Sequence, residues 1–483
     1  MKKTGIICLA LVLCLLSGCL DKSYRGLVDV DYDYDPSVPI PVWIQIGEPS
    51  KTKLEAWSQT KGVGVIEKNI QFKEHPFYVY AFNQDKLTTL NTTNEDDPLR
   101  CLIDASIDYA DPVSAARFDQ ETYHPDGGRQ AWYDPEKQLV TWYQPGGPVY
   151  NEDIYWPMGD DKVNRYDFYA YYIDDIKPSK VTRTESAILV DIEIDGSQDV
   201  MSAVAMPSEE KLKAIFPKEE DYLQLLEYKY YYCYGHYSAL KTLNPEFVFD
   251  HHLVRLEFYI IPGETPGYNN KITVHDITVR SKSKAEFTVA ASNIDKDTGA
   301  GLGLAFDRES SVVMRLRNAD GSYYNPDPEN DSENTSLFVF STNAGDPAPK
   351  YQVGGSLLVA PTSDLDVGGI GYEITVTLSE TRYYPPSEDY PDGRTVSYPK
   401  YTNRLYLQNP SLNPTSKIPR PFQAGNRYQV HLNVHGHNDI TVSTDIKQWD
   451  GTGDDVQDNE IRPGGGGTLI TPGGGSTPGT DSI

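Results

Sequence analysis

The sequence predicts an all-β protein of the sandwich type, and three observations lead to this fold class. The chain of 483 residues contains 35 Tyr, a residue that favours strands and can turn one face to a core and its hydroxyl to water. Glycine (38 copies) and proline (34 copies) punctuate short runs of alternating apolar residues. Long helical patterns are few. Short strands separated by turn residues are typical of antiparallel sandwiches.

Residues 1–18 have the form of a bacterial signal peptide. Lys2 and Lys3 precede an apolar run at residues 6–16, which is about half of the roughly 20 residues that a membrane-spanning helix needs. The run leads into Ser17-Gly18-Cys19, which resembles the lipobox of bacterial lipoproteins. The resemblance implies cleavage before Cys19 and acylation of its thiol, and two or three acyl chains make a stable anchor. The alternative is an ordinary secretory signal in which Cys19 has no role.

Charge and cysteine content exclude several classes of protein. The formal charge of −27 becomes −29 when the two signal-peptide lysines are removed, which argues against nucleic acid as a partner and against a polybasic hold on anionic lipids. Two of the five cysteines also leave with the signal peptide, and Cys19 is the acylation site. Cys101 and Cys233 remain, either as one disulfide or as two free thiols.

The next element is an acidic tether at residues 19–37, in which Asp29, Asp31, Asp33 and Asp35 alternate with apolar and aromatic residues. A calcium loop of the EF-hand type requires glycine at its sixth position, where Tyr34 stands. The pattern therefore favours a solvated tether over a calcium site.

A first sandwich domain is predicted at residues 38–240. Its strands are expected at residues 41–46, 77–82, 140–143, 167–172 and 187–194. Between residues 207 and 230 the pattern becomes helical, because Ser208 can cap a helix with two glutamates in its first turn, and Pro217 ends it. We therefore expect a short helical insertion near the end of this domain.

A second sandwich domain is predicted at residues 241–452. Its strands are expected at residues 247–261, 271–280, 311–316, 337–340, 355–359, 371–378, 401–407, 427–434 and 439–446. The acidic, proline-rich stretches 318–334 and 383–399 predict exposed loops. Residues 453–483 are rich in glycine and predict a disordered tail, because such a composition buries too little apolar surface to become ordered.

No motif in the chain predicts catalysis or a metal site. His431, His435 and His437 share one face of a predicted strand, but zinc needs ligands converging within about 2.3 Å, whereas alternate residues on a strand lie about 7 Å apart. Nucleophile-elbow, zinc-protease and phosphate-loop motifs are absent from the sequence. The tyrosines of residues 228–237 indicate either a covered seam between domains or an aromatic platform for sugars.

Six motifs, taken in order, resemble the fimbrillin family of Bacteroidales surface lipoproteins. They are TKGVGVI at 60–66 with FYVYAF at 77–82, YWP at 155–157 with YDFYAYY at 166–172, SQDVM at 197–201, FDHHLVRLEF at 249–258, FQAGNRY at 422–428 and IKQW at 446–449. The resemblance implies two tandem transthyretin-like β-sandwich domains. It also implies assembly into pili or attachment to them. In polymerising members of the family, a protease specific for Arg or Lys removes the first strand, and a neighbouring subunit fills the groove with its own strand.

Carried over to this chain, the resemblance assigns three sets of residues. The removable strand would consist of Pro41, Val42, Trp43, Ile44, Gln45 and Ile46. The protease-sensitive loop behind it would contain Lys51, Lys53 and Lys61. Core motifs would be Trp156, Phe168, Leu253 and Trp449, with His252 hydrogen-bonded beside them.

These expectations describe a non-enzymatic subunit of a surface fimbria, without cofactor or metal, lipid-anchored to the outer membrane through Cys19. Its partners would be other fimbrial subunits, bound by strand addition, and a surface glycan or protein. The glycine-rich tail departs from the apolar donor strand of polymerising members, which leaves stalk, tip and anchor roles open. The alternative is a surface adhesin or glycan-binding lipoprotein that does not polymerise. A hydrolase is a third option.

Overall fold

The structure is a computed structural model, and it describes sixteen stretches of the chain. They are residues 37–47, 68–83, 101–103, 128–142, 154–156, 166–184, 186–207, 211–213, 234–240, 242–263, 268–292, 301–318, 336–342, 349–362, 371–411 and 419–448.

The first half contributes nine strands within these stretches. They are β1 (Gln45–Ile46), β2 (Phe77–Asn83), β3 (Cys101–Ile103), β4 (Arg129–Asp134), β5 (Leu139–Thr141), β6 (Tyr166–Tyr172), β7 (Lys180–Arg183), β8 (Ala187–Glu193) and β9 (Met201–Val204). Within the described part of the chain, helical structure is found in a 3₁₀ helix at Asn69–Lys73, at residues 211–213, in α1 (His236–Leu240) and at one 3₁₀ position, Thr362.

The second half contributes thirteen described strands. They are β10 (Glu246–Phe247), β11 (Asp250–His251), β12 (Val254–Pro262), β13 (Asn269–Lys282), β14 (Lys284–Ala291), β15 (Gly303–Phe306), β16 (Ser311–Arg315), β17 (Phe338–Thr342), β18 (Tyr351–Val359), β19 (Gly371–Tyr384), β20 (Arg394–Gln408), β21 (Asn426–Gly436) and β22 (Asp439–Gln448).

Most strands belong to four sheets, which we call A to D. Sheet A has the order β11-β9-β6-β2-β4-β5, with β3 on β2, and sheet B has the order β15-β14-β8-β7. Sheet C has the order β18-β12-β21-β22, and sheet D has the order β16-β13-β19-β20, with β17 also on β13. Strands β1 and β10 form a separate parallel pair.

Sheet A is buried on both faces at its centre, because β2 and β6 are buried at every position. On one face, Phe77, Val79 and Phe168 belong to a first core. On the other face, Tyr171 packs edge-on against Phe287 of sheet B, with ring centroids 6.0 Å apart. The dense apolar sequences of these strands follow from the two-sided burial, since neither face can be polar.

A second, larger core joins the space between sheets A and B to the space between sheets C and D. The strands β13 and β14 are separated only by Ser283, and they carry the chain from sheet D into sheet B. Sheet B therefore combines β8, before the predicted boundary at 240/241, with β14, after it. The predicted boundary itself stays a prediction.

The all-β class predicted from the sequence is confirmed, and most predicted strands lie within one to four residues of their expected ends. The loop predicted at 383–399 is wrong at its two ends, because β19 continues to Tyr384 and β20 begins at Arg394. The cross-strand ladder stabilises these exposed residues without a buried face, so the apolar alternation that usually marks a strand is missing.

Several predictions fall outside the described residues. They concern the signal peptide, Cys19, nearly all of the tether, the three lysines of the candidate loop, Cys233, Trp449, the tail and most of the 228–237 tyrosines. In the described part of the chain, no helix has both the length and the apolar character that a membrane crossing requires.

Candidate functional site: an embedded N-terminal segment

Residues 38–47, here called the N-terminal segment, lie in an apolar slot that closes the first core. Val42, Ile44 and Ile46 are buried, with Ile44 fully inaccessible to solvent, whereas Trp43 is 49% exposed. Alternate residues of an extended chain point to opposite sides, so one side of the segment faces the core and the other faces water.

The backbone of the segment is held by three separate neighbours. Residues 40–42 bond to the stretch 154–156, with Val42 N donating to Ile154 O at 2.6 Å and Trp156 N donating to Ile40 O at 2.9 Å. Further along, Val140 N of β5 donates to Ile44 O at 2.8 Å.

The last part of the segment pairs in parallel with β10. Gln45 lies opposite Glu246, and Ile46 lies opposite Phe247. Gln45 N donates to Pro245 O at 2.9 Å, and Gly47 N donates to Phe247 O at 2.8 Å. The partners thus change from antiparallel to parallel along ten residues. Regular strand geometry is therefore limited to β1 and a bridge at Pro41, which is shorter than the strand predicted at 41–46.

Burial of the segment makes a large contribution to folding. Each of its three buried aliphatic side chains stabilises the fold by about 1.5–3 kcal/mol, and each backbone hydrogen bond adds about 1 kcal/mol. The gross total is comparable to the 5–15 kcal/mol that separates a folded domain from its unfolded chain. An empty slot would therefore leave the first core unstable unless another chain filled it.

The stretch from residue 48 to 67 starts and ends at neighbouring positions of the structure. Asn69 Nδ2 donates to Ile46 O at 3.5 Å, so the chain after the stretch returns to the end of the segment. Lys51, Lys53 and Lys61 belong to this stretch, outside the described residues. A cut anywhere within it would leave the segment held to the rest of the protein by non-covalent contacts alone.

The start of the segment is fixed by α1. His236 Nε2 lies 2.7 Å from Val38 O. A carbonyl oxygen can only accept, so Nε2 carries the proton and donates. Neither α1 nor this contact was predicted, because a five-residue helix has too few residues to show a period and its partner lies 198 residues away.

The predicted core residues pack on both sides of sheet A. Trp156 is buried and contacts the rings of Tyr166 and Phe168, with centroids 5.9 and 5.7 Å away. Phe168 belongs to the first core, and Leu253 is buried in the larger core. Tyr234, from the predicted tyrosine cluster, is buried against Phe168 and thus covers the core.

Two neighbouring histidines make separate polar contacts. His252 Nε2 lies 2.7 Å from Ser202 Oγ, as the expected hydrogen bond requires, and His251 Nδ1 lies 3.0 Å from the buried Asp199 Oδ1. The Ser–His and His–Asp contacts use different histidines, so these residues do not form a catalytic triad. Burial lowers the pKa of His252 to about 4, which keeps this imidazole neutral at ordinary pH.

A carboxyl group beside this pair is also perturbed. Burial, and next the charge of Asp175, raise the pKa of Asp174 to about 7. Tyr172 donates its hydroxyl to Asp174 Oδ1 at 3.1 Å. Among the described residues, no group of three or more His, Cys, Asp or Glu is arranged to hold a metal ion.

The three histidines singled out on β21 and its turn do not converge. His431 Nε2 lies 2.8 Å from Lys350 Nζ, whereas His437 Nδ1 lies 3.0 Å from Glu380 Oε2. A bulge between Val434 and Gly436 breaks the alternation that would have placed all three on one face.

A cluster around Glu380, at the base of the β19–β20 hairpin, was not predicted from the sequence. Arg382 donates to both oxygens of this buried carboxylate, at 2.7 and 3.1 Å. His437 adds its backbone N and Nδ1, and Asn270 adds its amide at 3.3 Å. Burial acts to raise the pKa of Glu380, but the hydrogen bonds from Arg382 and His437 outweigh it and hold the pKa below its ordinary value.

Comparisons with known proteins give weak structural likenesses. No family model matches the chain, and no curated protein matches it. A fimbrial protein from Bacteroides vulgatus has 11% identity and a TM-score of 0.40, covering 85% of this chain and 99% of its own. A protein provisionally described as a cell adhesion protein, from Bacteroides uniformis, has 13% identity and a TM-score of 0.34, covering 86% and 100%.

A third solved structure, the fimbrial anchor protein Mfa2 from Porphyromonas gingivalis, has 10% identity and a TM-score of 0.29, covering 84% of this chain and 97% of its own.

Proposed function

We propose that this protein is a non-enzymatic subunit of a bacterial surface fimbria that accepts a strand from another subunit in the slot of residues 38–47. The observation that carries the proposal is the way the N-terminal segment is held. Its alternate side chains fill apolar pockets, and its backbone bonds to three separate neighbours. Binding by added strands uses the same two elements, since backbone bonds supply affinity and alternate pockets supply register.

In this proposal, the lipid on Cys19 first holds the precursor at the outer membrane. A protease then cuts between residues 48 and 67, where three lysines stand. The lipid, the tether and the N-terminal segment leave together. The slot then exposes apolar surface of the first core, to which Val42, Ile44 and Ile46 belong, and this favours the arrival of a strand from a neighbouring subunit.

The first test asks whether a protease cuts the precursor between residues 48 and 67. Purified precursor is treated with a lysine-specific protease, and the fragments are weighed by mass spectrometry. We expect one or more cuts between residues 48 and 67 with the remainder of the chain intact. The matched control replaces Lys51, Lys53 and Lys61 by glutamine and should stay uncut in this stretch. Cuts spread over the described strands instead would contradict an exposed cleavage loop.

The second test is made on fibres sheared from cells that express the protein. We expect the chain in the fibre fraction, in complexes that resist denaturant, with a new N-terminus between residues 52 and 62. A denaturant-resistant ladder of this chain alone identifies a stalk subunit, and complexes only with other subunits identify a tip or an anchor. If the chain stays in the membrane fraction with Cys19 acylated and is absent from fibres, the protein is instead a tethered adhesin.

A further inference from the structure

The residues of the N-terminal segment that fill the slot indicate which sequence an incoming strand would need. Val42, Ile44 and Ile46 occupy successive pockets of the first core, and all three are aliphatic and β-branched. An incoming strand must place side chains of similar volume at the same three alternate positions, since overpacked or empty pockets are both unfavourable.

Gly47, directly after the third pocket, marks a close approach between chains. A Cβ at this position would lie 2.7 Å from Glu246 Oε1 and 3.0 Å from Val248 Cγ2. The Glu246 carboxylate is also paired with Lys211, so the shift that a Cβ requires would disturb this partly exposed ion pair. Both contacts are ends of side chains that can move, so glycine fits without any shift, whereas a branched side chain would also have to displace Val248.

Filling this end of the slot also secures β10. In the described chain, β10 has no strand partner other than β1. Seven residues after β10 ends, β12 begins at Val254 in sheet C, and between them β11 pairs with β9 of sheet A. Residues 245–254 therefore run from the slot into the second half of the molecule.

The aromatic contacts limit how far a change at β10 can spread. Phe249 packs against Phe72 and Phe77, with ring centroids 4.8 and 5.5 Å away, and neither of these rings belongs to the segment. Loss of the segment therefore removes the backbone partners of residues 245–247 and leaves Phe249 anchored.

We propose that the slot selects, from another subunit, a strand with aliphatic residues at three alternate positions followed directly by glycine, and that the arrival of this strand orders residues 244–248. The proposal rests on the strand exchange proposed above and names the sequence pattern of its donor. That pattern of three alternate Val, Ile or Leu residues followed by Gly stands at 42–47 of this chain. In residues 450–483, no two such residues stand two positions apart, so a peptide from this stretch provides a control.

The test uses the full chain with a specific protease site placed in residues 48–67, cut and freed of its N-terminal fragment. Three synthetic peptides are added: VPIPVWIQIGE (residues 38–48), the same peptide with Gly47→Val, and residues 464–475 of the tail. Binding is followed by fluorescence anisotropy of labelled peptides, and order at 244–248 by hydrogen exchange. We expect the first peptide to bind and to slow exchange at 244–248. The Gly47→Val peptide should bind about tenfold more weakly or worse, and the tail peptide should not bind.

Equal binding and equal protection by the first two peptides would overturn the role of glycine. Binding of the tail peptide in the slot would overturn the requirement for three alternate aliphatic residues, which this peptide lacks. These results can be distinguished from a failure of the proposed function. If the peptides bind selectively but the protein forms no fibre, only the proposed function fails. If fibres form with donor strands that lack the glycine, only this inference fails.

A second measurement needs no cut, in case the freed chain unfolds. In the intact protein, Gly47→Val should speed exchange at residues 244–248 by about tenfold or more, while β12 exchanges as before. The matched control, Trp43→Ala, changes an exposed residue of the same segment and should leave both regions unchanged. Equal exchange rates at residues 244–248 in the two variants would contradict the role of Gly47 in holding β10.

Discussion

Residues 38–47 and residues 381–402 are both extended chain at the surface, yet they are held in place by different forces. The first stretch buries three side chains and has a discontinuous set of backbone partners. The second, which forms the outer part of the β19–β20 hairpin, contains no buried residue although the structure describes all of it. Its strands pair regularly from Tyr384 opposite Arg394 to Glu380 opposite Tyr398, and a bulge then shifts the register before Leu378 pairs with Tyr401.

An isolated two-stranded hairpin is at best marginally stable in water, so this one needs support at its base. The carboxylate of Glu380 supplies that support by accepting hydrogen bonds from Arg382, His437 and Asn270. The guanidinium of Arg382 lies between the rings of Tyr268 and Tyr398, 5.0 and 4.6 Å from their centroids.

The difference between the two regions decides which of them another chain can replace. Apolar pockets recognise volume and spacing, so any strand with the same pattern can occupy the slot. The hairpin depends on a ladder between adjacent segments and on one particular carboxylate. Pro399 and Lys400 also lie on its outer strand, and proline and lysine on an edge strand hinder pairing with further strands. The slot is thus exchangeable, and the hairpin is a fixed part of the fold.

The largest effect is expected in the slot. Ile44→Ala should lower the free energy of unfolding by about 2–5 kcal/mol, because Ile44 is fully buried and the truncation leaves a cavity. Urea unfolding followed by circular dichroism measures this loss. An effect below about 1 kcal/mol would show that the segment contributes little to the first core.

The second prediction concerns the pH dependence of stability in the first half of the molecule, where Asp174 lies. The pKa of Asp174 is about 7 in the fold against 3.8 ordinarily, so the folded protein holds a proton that the unfolded chain releases between these values. Stability from this group falls as pH rises from about 4 to 7, by up to about 4 kcal/mol. Asp174→Asn should flatten the stability profile in that window. An unchanged slope would contradict the raised pKa.

Glu380 has the opposite dependence. Because its folded pKa lies below the ordinary 4.5, its contribution is present above that pH and is lost as pH falls through the folded pKa. Acid should therefore loosen the hairpin, while protonated Asp174 favours the first half of the molecule. Protection factors from hydrogen exchange at pH 3 and pH 8, measured for the hairpin and for the residues around Asp174, compare the two effects.

The third prediction concerns the base of the hairpin. Glu380→Gln keeps the size of the side chain but removes its charge and turns an amide donor toward other donors. We expect a loss of about 2 kcal/mol, since hydrogen bonds to charged groups contribute about 1.5–3 kcal/mol. Hydrogen exchange should rise in residues 380–402 and stay unchanged in residues 38–47. Equal increases in both would mean that the cluster supports the whole fold.

The smallest effect is expected at Tyr383, which is 44% exposed on the hairpin. Tyr383→Ala should change the free energy of unfolding by no more than about 0.5 kcal/mol, as is usual for surface positions. It serves as the hairpin counterpart of Trp43→Ala in the slot. A loss above about 1 kcal/mol in urea unfolding would show that this ring packs against part of the protein.

The sequence by itself determined the all-β class and the strands that bury at least one face. The apolar runs FYVYAF and YDFYAYY predict β2 and β6, and alternating apolar residues predict β13 and β21. These strands can be predicted because each residue has its own preference for burial. It also predicted extended chain at residues 41–46, where the structure has β1 and a bridge at Pro41.

Only the tertiary structure decided which neighbours these strands meet. The parallel pairing of Ile46 with Phe247 joins positions 201 residues apart, and the local sequence around either residue does not indicate its partner. The same holds for His236 and Val38, and for Glu380 and His437. Burial preference is a property of single residues and can be read locally. Pairing is a property of the folded chain, because it depends on which edges remain open once the cores have formed.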